Sequence, residues 1–402
     1  MSRAKRLAIV GYGTVGSGVY EALEENREKV EKLVGGFTIP LIVVKDGKKS
    51  RTTESGTKIS EDIETLYKEE IDTAVEAVPD ALTAYPIVKK LLEKGITVVT
   101  ANKELIAKYG EELLHLAAEN DCRLYFEAAV AGGIPVLSSI RHTLKVNNVE
   151  KIEGIVNGTS NFILTKMREE GTSFEDALEE AQRLGYAEAL PDKDVDGWDA
   201  WYKTVILSHW LHGQPPVWPE EKPRGIRGID VRDLHLAAAF YGRIKHTAVL
   251  EGTSARVEPR FVDADHPLYG VEGVNNGIHV KGSIVGSLLF QGAGAGKFPT
   301  ASAVIEDIVN HWTNTAEAEP PYTEQRKEQE TKEQDNFPYW FITGEHLQDL
   351  PDLVSEVRFL EGKEAAVLKC AREDLPDVSG TVYPVSGTLK EGKQLAASPV
   401  LS

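Results

Sequence analysis

A chain of 402 residues, 41% hydrophobic and 27% charged, has room for two or three domains that each bury a core without staples, and its composition is that of an ordinary globular protein. A formal net charge of −18 argues against a nucleic-acid or anionic-membrane surface, no apolar run reaches bilayer length, and two cysteines, Cys122 and Cys370, leave no disulfide framework or CxxC metal knuckle. The ten histidines show no HExxH spacing, and the start MSRAKRLAIVGYG runs straight into a strand without a signal-peptide apolar region, so the expected location is cytoplasmic.

Lys5–Val19 reads KRLAIVGYGTVGSGV, an apolar strand running into Gly11, Gly13 and Gly16 and then a helix over VYEALEENREKVEKLV. This is a dinucleotide fingerprint with its strand before it and its helix after it. Gly11 permits the tight turn, Gly13 lets backbone approach a pyrophosphate, Gly16 lets helix and strand pack closely, and the helix start at Thr14 and Val15 faces the phosphates. The second strand is expected at Ile39–Val44. Just past it, Asp46 can accept from a ribose 2′-hydroxyl, favouring NAD, whereas Lys45, Lys48, Lys49 and Arg51 can neutralise a 2′-phosphate, favouring NADP; both signals are present, and the balance tips slightly to NADP. Further helices alternate with strands at Asp72–Val78 and Ile96–Lys103, which predicts a doubly wound parallel sheet. Ligands of such sheets sit outside the carboxyl ends of the strands, where Asn102 and Lys103 fall; Lys103 reads equally as a site residue or as a surface lysine flanking a helix.

The pattern breaks after a strand over CRLYFEAAV, at Ala131–Leu144, where Gly132, Gly133 and Pro135 interrupt it. Val149–Met167 predicts a strand, a turn at Asn157-Gly158-Thr159 and a helix capped by Thr159 or Ser160, whose first amides suit a phosphate, carboxylate or carbonyl oxygen. Gly185–Lys203, GYAEALPDKDVDGWDAWYK, gathers five acidic residues and the well-placed Lys203 and reads as a substrate site. Glu188 and Asp194 lie on either side of Pro191 in an irregular loop. Asp199 and Lys203 stand four apart on one helix face; such a pair is usually surface decoration, but Trp198, Trp201, Val205, Ile206, Leu207 and Trp210 around it predict burial, and buried charges need partners. Strand-like pieces from Gly225 onward close in Gln291–Trp312, where Gly292, Gly294 and Gly296 allow close backbone approach and a helix begins near Thr300.

The fold expected is α/β: a Rossmann-type domain over 1–135, an α+β substrate-binding and oligomerisation domain with a mixed sheet over 136–312 whose last helix packs back on the first domain, a polar linker over 313–335, and a small α+β module over 336–402 with strand-like runs at FPYWFITG and VRFLEGKEAAVLKC.

These motifs together resemble the homoserine dehydrogenase family. The likeness runs from Arg6 to about Trp312 through GYGTVG, TANKELIA, FEAAVAGGIPVL, NGTSNFIL, GYAE with DVDGWDAWYK, and GAGAGKFPTASAV. It implies reduction of L-aspartate 4-semialdehyde to L-homoserine with NAD(P)H and no catalytic metal, at a branch point toward threonine, methionine and isoleucine. It also implies Lys203 and Lys103 at the reacting centre, Asp199 orienting Lys203, and Glu188 and Asp194 holding the amino and hydroxyl ends of homoserine. Thr159 with its neighbour Gly158, and the Gly292–Gly296 loop running into Thr300, match positions lining the nicotinamide. Glu127 with the carbonyls of Val130, Gly132 and Ile134 matches a structural monovalent-cation site, Na+ being the cation expected. Homodimers or homotetramers formed through the central sheet are implied as well. The chemistry asks for the lysines: hydride arriving at an aldehyde carbon leaves negative charge on oxygen, which an ammonium within reach stabilises and protonates. The chain departs from the family at Leu190-Pro191, where an acid commonly precedes the proline, and in its bulky tryptophans; LPDLVSEV only weakly echoes a regulatory-domain pattern. A related dehydrogenase with another short substrate, or a dinucleotide-binding protein without turnover, are the competing readings.

Overall fold

A computed structural model describes residues 3–47, 49, 51, 53, 56–313, 339–344, 347, 356–359, 364–375 and 380–387. Lys48 and almost all of the 313–335 linker lie outside the described residues, as does most of LPDLVSEV. The chain forms two compact units, one built from the residues up to Val146, Val205–Pro215 and the stretch from Gly292, the other from Asn147–Thr204, Pro216–Gln291 and the C-terminal strands. Among the described residues no helix is long and apolar enough to cross a membrane.

The first unit is organised on a six-stranded sheet of β1 (Lys5–Val10), β2 (Phe37–Val43), β3 (Lys58–Ser60), β4 (Thr73–Glu76), β5 (Thr97–Thr100) and β6 (Leu124–Tyr125), in the order β3-β2-β1-β4-β5-β6. Every pairing is parallel. The strand order reverses between β1 and β4, so the carboxyl ends of these two strands form the crevice in which such sheets take ligands. Leu7, Ile9, Ile42, Val75 and Val99 of the strands pack with Val19 and Leu23 of the helix Thr14–Glu25 and with Val304 and Ile308 of the helix Lys297–Trp312. Gly18 lets those two helices touch, since a Cβ there would come within 2.7 Å of the Lys297 carbonyl oxygen.

Local details depart from the sequence expectation. The first helix is two, broken at Asn26, whose side-chain amide and backbone N–H both turn back to the carbonyl of Ala22 (2.9 and 3.1 Å). β2 begins at Phe37 and β3 is an added edge strand. The strand expected over Cys122–Val130 shrinks to Leu124–Tyr125 and a 3₁₀ turn at Glu127–Ala129, since Phe126 (φ −155°, ψ 31°) already leaves the extended region, and the left-handed Ala131 and Gly132 (φ 57° and 56°) follow.

The second unit is organised on a nine-stranded mixed sheet: β7 (Val149–Ile155), β8 (Gly242–Glu251), β9 (Ser254–Asp263), β10 (Asn275–Gly282), β11 (Gly286–Ala293), β12 (Trp340–Gly344), β13 (Glu356–Phe359), β14 (Ala365–Lys369) and β15 (Gly380–Ser386), in the order β11-β10-β7-β8-β9-β15-β12-β14-β13. β7 lies antiparallel between β10 and β8, and β8 pairs antiparallel with β9 along its whole length. The last four strands pair antiparallel among themselves and join the sheet through β15, which runs parallel to β9 at Val385 and Ser386. Phe341 and Tyr383 from these strands share a core with Phe240 and Phe261, and with Ile163, Leu164 and Met167 of the helix Gly158–Glu170. The run VRFLEGKEAAVLKC thus holds two strands, β13 and β14, and β15 is one the sequence analysis did not single out.

Candidate active site

In the first unit the glycines make a backbone surface. Gly11 has a φ of 92°, and a Cβ there would lie 2.5 Å from the Ala77 carbonyl oxygen; a Cβ on Gly16 would run into the carbonyl of Gly11 itself. Gly13 sits at the N-cap of the helix Thr14–Glu25 with no side chain on the first amides, and a Cβ on it would meet no protein atom within 4 Å. Thr14 is exposed and Val15 half-buried beside these amides. The arrangement offers N–H groups to an anion, and its shape fits a dinucleotide pyrophosphate. Past β2, Lys45 and Asp46 are exposed, and Arg51 folds the loop by donating to the carbonyls of Asp46 (2.7 Å) and Lys49 (3.0 Å).

Beneath that surface lies a buried carboxyl the sequence analysis did not flag. Glu76, at the end of β4 and 0% exposed, accepts from the backbone N–H of Val78 (2.5 Å) and the Thr100 hydroxyl (2.5 Å), and burial raises its pKa to about 7. Thr100 in turn accepts from the N–H of Asn102 (2.9 Å), whose amide donates to Val78 O (3.1 Å) and whose oxygen caps the helix Lys103–Glu119 at Leu105 N (3.0 Å). Lys103 is the first, half-buried residue of that helix.

Gly292 and Gly294 pack on the broken strand end: Gly133 N–H donates to Ala293 O (3.1 Å), a Cβ on Gly132 would strike the carbonyl of Gly294, and one on Gly292 would touch Ile134. Thr300 is buried within the helix that follows. Glu127 is buried too, its carboxylate accepting from Leu137 N (2.9 Å) and Ser138 N (2.6 Å) at the start of the helix Val136–Thr143. Asp307 accepts from Glu127 N (3.0 Å), and burial with the neighbouring Glu127 charge pushes the Asp307 pKa well up. Val130 and Ile134 are buried beside them.

In the second unit three separate segments converge at the end of β7. Asn157 caps the helix Gly158–Glu170 by accepting from Ser160 N (2.8 Å), which corrects the cap expected at Thr159 or Ser160. Both hydroxyls are engaged elsewhere: Thr159 donates to Tyr186 O (2.6 Å) and Ser160 to Asp194 O (2.9 Å). Gly158 is required because a Cβ there would come within 2.6 Å of Val274 O. The Asn157 amide nitrogen donates to Asp194 (2.8 Å) on the turn Asp192–Val195 and to Asp199 (2.9 Å) on the helix Trp198–His212. The same Asp199 oxygen accepts from Lys203 Nζ (2.8 Å), which also donates to Val156 O (2.5 Å). Asp199 is 2% and Lys203 7% exposed, so the i,i+4 pair is a buried one.

The remaining acids of that run do other work. Asp192 and Asp196 pair with exposed Arg227 (2.5 and 2.6 Å) and pin the turn. Glu188 is exposed, its backbone carbonyl held by Gln182 (3.1 Å), and Leu190 is 81% exposed. Trp201 stacks on Trp218 at 3.4 Å. Elsewhere in this unit Glu153, His266 and His279 come within metal-ligand reach of one another. Leu268 N–H donates to His266 Nδ1 (3.2 Å), so Nε2 carries the proton and donates to Glu153 (3.1 Å). That tautomer withholds the lone pair a metal needs, and the trio reads as a hydrogen-bonded cluster.

The family model for homoserine dehydrogenase matches residues 135–309, and that for the homoserine dehydrogenase NAD binding domain matches residues 11–127. The chain is 42% identical over 311 residues to the homoserine dehydrogenase of Pseudomonas aeruginosa, covering 76% of this chain and 71% of the relative. The crystal structure of a homoserine dehydrogenase from Thiobacillus denitrificans superposes with a TM-score of 0.83 at 29% identity, covering 96% of this chain and 98% of that one. A hyperthermophilic archaeal homoserine dehydrogenase in complex with NADPH matches with a TM-score of 0.66 at 30% identity over 77% of this chain and 97% of that one.

Proposed function

Since the chain belongs to the homoserine dehydrogenase family, an oxidoreductase family built on a nicotinamide-dinucleotide domain, we propose that it interconverts L-homoserine and L-aspartate 4-semialdehyde with Lys203 as the acid/base group. The observation that carries the proposal is the buried lysine held between Asp199 and the Val156 carbonyl, with a second carboxylate, Asp194, tied to the same amide. Two carboxylates against one ammonium leave that cluster net negative, the charge that suits the amino group of an amino-acid substrate.

In the reducing direction the nicotinamide supplies hydride to the aldehyde carbon, and the Lys203 ammonium stabilises the developing oxyanion and gives it a proton; in the oxidising direction neutral Lys203 takes the hydroxyl proton as hydride leaves. Lys103 is the second lysine of this reading, and Glu188 and Thr159 join Asp194 in holding the substrate. NADP is the favoured cofactor, because Lys45, Lys49 and Arg51 outnumber Asp46 in the loop past β2. The cation implied at Glu127, Val130, Gly132 and Ile134 is structural: a hard monovalent ion such as Na+ would offset the buried Glu127 charge that pushes up the Asp307 pKa, and the donor set is all oxygen. A second copy of the chain is the proposed partner of β11, an edge strand with Leu289 exposed at 40% and, in the turn leading into it, Ile284 and Val285 exposed at 71% and 40%.

Initial rates of L-homoserine oxidation, followed at the nicotinamide absorbance with NAD and NADP in parallel, test this reading. Turnover with a preference for NADP is expected. Binding of either dinucleotide without reduction would reject the substrate assignment, and equal or better rates with NAD would overturn the cofactor preference.

A further inference from the structure

Both anchors of Lys203 are themselves held by buried amides. Asn157, 6% exposed, donates to Asp199 and Asp194 and accepts from Ser160 N. Asn276, 1% exposed, donates to the carbonyl of Val156 (2.9 Å), the other acceptor of the ammonium. The Asn157 orientation is unambiguous chemically. The carboxylates require donors and the Ser160 N–H requires an acceptor, so only one placement of amide nitrogen and oxygen satisfies all three contacts, and a flip would break every one.

We propose that Asn157 is a positioning residue for the reaction, fixing the Lys203 ammonium through Asp199 and coupling it to the substrate-facing carboxylate Asp194, with Asn276 steadying the second anchor. This rests on the reading of Lys203 as the acid/base group. A single nitrogen within 3 Å of both carboxylates holds two like charges side by side, and Asp199 accepts a hydrogen bond from Lys203. When a substrate cation engages Asp194, the change in that carboxylate's charge and position is therefore felt at Asp199 and Lys203 through one rigid amide. The charged and titratable groups around Asn157 are Asp194 from its turn, Asp199 and Lys203 from the helix Trp198–His212, and, from β8, His246, whose ring bears on Asp199 and stays neutral because burial lowers its pKa to about 4. Asn276 on β10 is uncharged.

Two substitutions separate positioning from mere structure. Asn157→Ser keeps an N-cap oxygen but is too short to bridge the carboxylates; Asn157→Asp keeps cap and size but sets a third carboxyl against Asp194 and Asp199. For Asn157→Ser, kcat/KM for homoserine is expected to fall about ten- to hundredfold, the value of hydrogen bonds to charged groups, while dinucleotide Kd stays near the parent's and Tm drops by only a few degrees for the donors lost to Asp194 and Asp199. Asn157→Asp should be worse at alkaline pH and recover as pH falls, because the introduced carboxyl has its pKa raised by its two neighbours and donates again once protonated. Parent-like kcat/KM in Asn157→Ser, or a pH-independent loss in Asn157→Asp that tracks its Tm, would overturn the proposal. Lys203→Met is assayed alongside. Full turnover there rejects the underlying reading, whereas its loss together with parent-like Asn157 variants rejects the inference alone.

Discussion

At the carboxyl ends of β1 and β4 the candidate binding surface is backbone: Gly11, Gly13 and Gly16 present amides and carbonyls, and no side chain caps the helix that follows. At the end of β7 it is side chains: Asn157, Asp194, Asp199 and Lys203 meet from three separate segments, each satisfied by the next. A backbone site is specified by what its residues lack, so it tolerates changes around it but not an added Cβ. A side-chain site is specified by atoms, so removing one group leaves its partners buried and unpaired. The two regions should therefore fail in different ways.

Lys203→Met is the sharpest test of that contrast. If Lys203 is the acid/base group proposed above, removing it should lower turnover on the order of a thousandfold, while dinucleotide affinity, assigned to the glycine surface, stays within about twofold. Asp199 is then buried without its cation, so the variant should also melt lower, by a penalty of about 3 kcal/mol. Stopped turnover with intact dinucleotide binding keeps the division of labour; a parallel loss of both would erase it.

Gly16→Ala probes the other side with a smaller effect. The added methyl runs into the carbonyl of Gly11 and meets Ile9 at 3.3 Å, so the turn must shift. Overpacking of this kind costs roughly 1–3 kcal/mol, and the expectation is a dinucleotide Kd weakened on the order of tenfold with the kcat at saturating cofactor little changed. A loss confined to kcat, seen by titrating the cofactor and measuring rates at saturation, would show that the glycine surface does more than bind.

The same contrast explains what could be read from the sequence. GxGxxG after a strand is a local pattern, and Gly11, Gly13 and Gly16 stand where that pattern puts them because turn geometry depends on neighbours in the chain. Asp199 and Lys203, four apart on a helix, were legible as a pair, and the apolar residues around them predicted its burial. Asn157 was read only as part of a turn: its partners Asp194 and Asp199 lie 37 and 42 positions away, and no spacing rule connects them. Glu76 was hidden for the same reason, as one letter in a strand whose partner Thr100 sits on the neighbouring strand. β15 escaped notice because its place in the sheet depends on a parallel contact with β9, more than a hundred residues earlier.

Glu76 offers the mildest break in the comparison, because it is a buried side-chain carboxyl in the backbone-built crevice, and Val78 N and Thr100, from which it accepts, are uncharged. Its pKa rises from an ordinary 4.5 to about 7, with burial the largest cause. Between those values the folded state holds the proton that the unfolded state releases, so stability falls as pH rises through the window and the full penalty stands above about pH 7. Asp199, by contrast, has Lys203 to share its charge. Glu76→Gln cannot ionise and can still accept from Val78 N, though its amide must then donate to Thr100. Relative to the parent it should melt higher at pH 8, by a few degrees for roughly 1–2 kcal/mol, and no higher at pH 5. Thermal melts across that range decide the matter. An offset that is the same at both pH values would mean that Glu76 keeps its charge on folding, and that the crevice supplies a compensating cation after all.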